Sequence, residues 1–126
     1  MSQNIKSPLV MEHMVFDKIA FERKGFRNEN ELELNMNVQI HENTKENRYK
    51  VTVLFFGDKK DEYQLEVVAS GFFHIESEQL PENINVTTLL QKNAVSILLP
   101  YIRSELTLLT AQPETCLLYT SPSPRD

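Results

Sequence analysis

The sequence is poor in the residues that build reactive or phosphate-binding sites. It has three glycines, one cysteine and no tryptophan in 126 residues. Gly25, Gly57 and Gly71 stand too far apart for a dinucleotide or P-loop cradle, whose glycines must cluster so that backbone can approach phosphate. His13, His41 and His74 are isolated, without the close spacing by which metal ligands share an ion, so no metal or cofactor is expected. Ser104 and Glu105 beside Arg103 lack a base arrangement and read as helix surface. No run of 18 apolar residues occurs, and Met1 to Pro8 lacks a charged stretch followed by an apolar one, which points to the cytoplasm and away from direct membrane insertion.

The lone cysteine opens a segment unlike the rest. Cys116 to Asp126, with its Thr-Ser-Pro-Ser-Pro run, reads as a translated sequencing-adapter read-through, a non-native tail outside the fold. Natural sequence ending near Thr115 then has no cysteine, which removes disulfides, thiolate zinc sites and cysteine nucleophiles together. What remains, residues 1–115, is one domain's worth of chain. Its charge favours acid, 13 Lys and Arg against 18 Asp and Glu for a net −5, which disfavours nucleic acid and suits a basic or apolar partner.

Alternation dominates the middle. Leu32, Leu34, Met36, Val38 and Ile40 alternate with Glu33, Asn35, Asn37 and Gln39, predicting a strand with one buried face. After a polar loop from Glu42 to Asn47, Tyr49, Val51, Val53 and Phe55 repeat the period and predict its hairpin partner. A turn over Gly57 to Glu62 leads into a long strand with Tyr63, Leu65, Val67, Ala69, Gly71, Phe73 and Ile75 on one face. A weaker strand, Val15 to Phe26, precedes them. Four strands on short polar turns read as an antiparallel meander. Beyond Pro81 the period changes: Leu90, Ala94, Ile97, Leu98, Tyr101, Leu108 and Leu109 mark a long helix capped by Asn85 or Thr87, with a kink or a break expected at Pro100. The fold class is therefore α+β. Leu98, Leu99, Tyr101 and Ile102 make the helix apolar on more than one side, which suggests a partner subunit; Phe72 and His74 read as an oligomer seam.

Tyr63-Gln64-Leu65-Glu66-Val67, Gly71-Phe72-Phe73-His74-Ile75 and the helical Ile97-Leu98-Leu99-Pro100-Tyr101-Ile102-Arg103 together resemble the SecB export-chaperone family, with Ile19-Ala20-Phe21-Glu22 matching its first strand. The resemblance spans roughly residues 14 to 113. It implies two protomers sharing an extended sheet, two dimers packing through their helices into a homotetramer, and no catalysis. Such proteins bind unfolded preproteins and pass them to the SecA motor. By position, Glu22 and Glu66, with Asp17 nearby, fall on the acidic surface that meets SecA, although Lys18 stands where the family has an acid. Leu65 and Val67 fall on the strand supporting assembly, joined by Leu98, Tyr101 and Ile102 as interface. Leu32, Leu34, Met36 and Phe55 are the client-binding candidates, or else ordinary core. The family continues past this chain's end into a loop, a second helix and a tail. Three function classes follow: a general export chaperone, a SecB-like chaperone dedicated to one client such as an antitoxin, and an enzyme or small-ligand binder on a similar frame.

Overall fold

The computed structural model describes residues 8–76 and 85–116. Its strands are β1 (Leu9–Arg23), β2 (Leu32–Asn43), β3 (Arg48–Lys59) and β4 (Tyr63–Ile75), all antiparallel in one sheet of order β1-β4-β3-β2. The meander holds for β2, β3 and β4. β1 departs from it, pairing with β4 at the far edge, so the central strands are the two with the most continuous apolar face. Both central strands alternate as their sequences predict: Val51, Val53 and Phe55 on β3, and Leu65, Val67, Ala69 and Phe73 on β4, are buried.

A helical rod covers these two strands. It begins with α1 (Val86–Leu89), widens through a π turn (Leu90–Ala94) and runs on as α2 (Val95–Thr110). Asn85 caps it, its Oδ1 accepting from the Thr88 N–H at 3.2 Å. Leu90, Ala94, Leu98, Ile102, Leu106 and Thr110 are all buried, a spacing of four. In a straight α-helix such a stripe drifts by about 40° per step; the wider π turn offsets part of that drift where the rod starts. The helix does not break at Pro100. That proline and Ser96 are both exposed, so the Ser96 carbonyl left without its helical donor is open to water. Gly71 lets the rod sit close: a Cβ there would come 2.9 Å from Leu98 Cδ2 and 2.7 Å from the Phe73 ring.

β1 is longer than its sequence suggested. Register shifts at Glu12 and Asp17 reset its alternation twice, so the helix-side positions run Leu9, Met11, then Met14, Phe16, then Ile19, Phe21. No single period describes the strand, which is why its first third escaped the sequence pattern.

One end of the sheet is held by a buried polar cluster. Lys59 and Glu62, expected as turn surface, are 4% and 0% exposed, with Nζ and Oε1 3.0 Å apart. Lys59 also donates to the Asn28 carbonyl and side chain, each at 2.8 Å. Glu62 accepts from the Asn28 N–H at 3.1 Å and the Cys116 N–H at 2.6 Å. Burial pushes the Glu62 carboxyl upward, but these two N–H groups and the Lys59 ammonium outweigh it and hold the group below the ordinary range. Arg23 completes the clasp, donating to the Gly25, Pro113 and Glu114 carbonyls and to the Thr115 hydroxyl. Cys116 joins through main-chain atoms, its carbonyl accepting from Tyr63 Oη at 3.3 Å. The rest of the predicted tail, 117–126, lies outside the described residues.

Candidate functional site

Because the rod lies over the central strands, the helix-side face is open at both edges. The row Ile19–Val67–Phe55–Met36 crosses the whole sheet; Val67 and Phe55 are buried, whereas Ile19 and Met36 are 44% and 47% exposed. In the neighbouring row Leu34 lies 46% exposed beside Gly57, whose missing side chain leaves room for Leu34 and Leu65. Leu32 and Val38 are half-buried. The fully buried face expected for β2 is thus covered only in part: Leu32, Val38 and Ile40 pack against the core, while Leu34 and Met36 form an exposed apolar margin on this edge strand.

The two edges differ in how they are guarded. β1 is broken by its two bulges and carries charge at Glu12, Asp17 and Lys18, devices that discourage strand addition. β2 pairs with β3 through twelve residues without a register shift, and holds no proline and no lysine. Between Leu34 and Ile40 it has no charged residue. Its outer edge is unpaired among the described residues. A regular, uncharged edge beside exposed Leu34 and Met36 can take an extended polypeptide: main-chain hydrogen bonds form along the edge, and alternate side chains of the ligand meet the apolar margin.

The opposite face of the sheet is polar at this end. Register places Glu22, Gln64, Asp58 and Glu33 side by side across all four strands, with Glu66 in the next row. Glu22, Glu66 and Phe56 border a concavity of about 180 Å³. Glu22 and Glu66 thus share this face, but each has a cation: Lys18 lies 2.8 Å from Glu66, and Lys24 lies 3.7 Å from Glu22. Asp17 is set apart from them, accepting from Ser70 Oγ at 2.5 Å, with Thr52 a further 2.8 Å away. Asp58 and Glu33 were not singled out in the sequence. Only the strand register reveals them.

The other expected sites fare differently. Phe55 is buried and cannot meet a client directly. Leu65, Val67, Leu98 and Ile102 are interior to the single chain, packed between its own sheet and rod, so their side chains cannot contact a second subunit; of the five interface candidates only Tyr101 is on the surface, 47% exposed. His74 is held between Glu12 at 3.0 Å and Glu76 at 2.8 Å, and its pKa is raised above 6.5, chiefly by the Glu76 hydrogen bond; burial opposes this, and the Glu12 hydrogen bond and the two carboxylate charges add to the rise. Among the described residues no group of three or more His, Cys, Asp or Glu is placed to hold a metal, and no helix is long and apolar enough to cross a membrane.

No protein-family model matches the sequence, and no curated protein matches it by sequence. Solved structures do match. The SecB-like chaperone Rv1957 of Mycobacterium tuberculosis, in complex with a ChAD peptide from the Rv1956 HigA1 antitoxin, superposes with a TM-score of 0.70 at 13% identity, over 91% of this chain and 93% of that one. A protein of unknown function from Streptococcus agalactiae matches with a TM-score of 0.52 at 12% identity, over 89% of this chain and 97% of that one. At these identities the likeness is one of fold: a four-stranded antiparallel sheet and a long helix in the SecB-like arrangement.

Proposed function

We propose that this protein is a SecB-like chaperone that holds an extended client polypeptide along β2, and that it is dedicated to one client, such as an antitoxin. The observation that carries the reading is the unguarded β2 edge with Leu34 and Met36 exposed beside it. The fold's likeness to a chaperone solved with an antitoxin peptide supports it. The work is binding rather than catalysis, in the cytoplasm, by the domain of residues 1–115.

A second reading, a general export chaperone that hands preproteins to SecA as a homotetramer, draws on the acidic row of Glu22, Asp58 and Glu33. A basic partner surface would fit that row. It is weaker because Lys18 and Lys24 already neutralise Glu66 and Glu22.

Calorimetric titration with a panel of antitoxin-derived peptides, and with an unrelated unfolded secretory precursor, separates the two. The dedicated reading expects one peptide to bind about tenfold or more tightly than the precursor, a difference of about 1.4 kcal/mol. Leu34→Lys/Met36→Lys should abolish that binding. Equal affinity for unrelated unfolded chains would favour the export reading, and no binding of either kind would end both.

A further inference from the structure

At the end of the sheet away from the acidic row, the outer face changes sign. Register aligns His13 on β1, Phe72 on β4, Lys50 on β3 and His41 on β2 in one row. The His13 and Phe72 rings stack with centroids 4.5 Å apart, 16° between their planes, and the Lys50 ammonium stands 5.7 Å from the Phe72 centroid. These residues, with Arg48 and the buried Tyr49 between Arg48 and Lys50, line an open concavity of about 230 Å³.

Two carboxylates border this concavity, and both are turned to partners. Glu12 is hydrogen-bonded to His74 at 3.0 Å, and Glu42 accepts from the Thr87 hydroxyl at 3.1 Å. Arg48 and Lys50 have no carboxylate within ion-pair distance among the described residues. A chain of net charge −5 thus gathers in one hollow an aromatic wall and two cations that make no ion pair among the described residues. Cations without an ion-pair partner beside an aromatic wall favour a ligand that brings carboxylates and an aromatic ring together. A long nucleic acid is disfavoured, because it would meet the acidic remainder of the surface.

The geometry points to a binding site for a short acidic polypeptide segment bearing an aromatic side chain. Its ring lies against the His13–Phe72 wall and its carboxylates lie at Arg48 and Lys50. This site is on the face opposite the β2 margin and does not depend on the client reading. It assigns this hollow a ligand class opposite in charge to a basic partner of the acidic row.

The test is fluorescence anisotropy with two labelled pentapeptides, phenylalanine flanked by acidic residues and phenylalanine flanked by basic ones. The acidic peptide should bind more tightly by about tenfold or more, the scale of one close charge pair. Added salt should weaken it. Arg48→Glu/Lys50→Glu, with its melting transition checked to confirm the fold, should reverse the preference. Leu34→Lys/Met36→Lys should leave it intact. Equal binding of the two peptides, an unchanged preference in the charge-reversed variant, or displacement by the β2 substitutions would each overturn the proposal. So would an RNA oligonucleotide that competes for the hollow.

Discussion

The Glu62 carboxylate and the Lys59 ammonium, three residues apart in sequence, meet at 3.0 Å beneath the surface, where they join the β3–β4 turn to the β1–β2 loop and to Cys116. Removing one partner of such a pair strands the other without water. Glu62→Ala should cost about 3–5 kcal/mol in urea unfolding, and Glu62→Gln less, because the amide oxygen still accepts. The lowered Glu62 pKa makes its contribution present above the unfolded carboxyl value and lost as pH falls through the folded one. Glu62→Gln should therefore flatten the acid limb of the stability profile. A limb as steep as the parent's would show that other carboxyls set it.

Tyr63 gives the alkaline counterpart. Burial, reinforced by the Glu62 charge, pushes its hydroxyl up from 10.0 to about 12. Stability from the neutral phenol is complete below the unfolded value and is lost as pH rises toward 12. Tyr63→Phe should remove this alkaline loss while costing about 1 kcal/mol at neutral pH for the bond to the Cys116 carbonyl. Denaturant melts at neutral and alkaline pH check both signs.

Gly71→Ala should destabilise by about 1–3 kcal/mol, since the added methyl meets Leu98 and Phe73, both buried and unable to swing into solvent. In a double-mutant cycle with Leu98→Ala, the two costs should sum to more than the double variant's loss. Additive costs would mean that the rod does not press on Gly71.

Core and margin residues should separate cleanly. Phe55→Ala is expected to cost about 3–5 kcal/mol, because the ring is interior. Leu34→Ser and Met36→Ser should change stability by about 1 kcal/mol or less and yet reduce client holding, scored as suppression of aggregation. A margin variant that holds clients as well as the parent would remove β2 from the binding surface.

His74 should titrate above 6.5 when followed by NMR, and Glu76→Gln should lower that value more than Glu12→Gln does, following the order of its partners' influence. Its raised pKa makes the stabilising contribution complete below the unfolded value and lost as pH rises through the folded one. The ring is partly exposed, so the effect is small and salt-sensitive. An unshifted titration would mean that neither carboxylate holds the ring in solution.

How much of this was legible in the sequence depends on the range of the forces involved. The alternation of β3 and β4 is local, and both strands and their buried faces were readable. The faces of β2 were equally regular, but whether Leu34 and Met36 are covered depends on where the rod lies, and no local pattern says so. β1 hid its first third because the Glu12 and Asp17 bulges shift its parity. Lys59 and Glu62 read as solvent because charged turn residues usually are; their burial is set by Asn28 and by main chain from the far end of the sequence. Parity gave Glu22 and Glu66 their outward faces, but a meander order would have set their strands at opposite edges; only the family resemblance placed them on one surface, and the β1–β4 pairing makes them neighbours. Their neutralising lysines, and the Lys50–Phe72 hollow, required the register of three strand pairs.

The clasp around Cys116 has a practical consequence. Position 116 takes part through its own N–H and C=O, two bonds that any residue except proline could make. The residue that stands there carries the chain's single thiol, half-exposed. A thiol-reactive dye placed on it would report the docking and release of the segment that follows α2 directly, without a substitution anywhere in the protein.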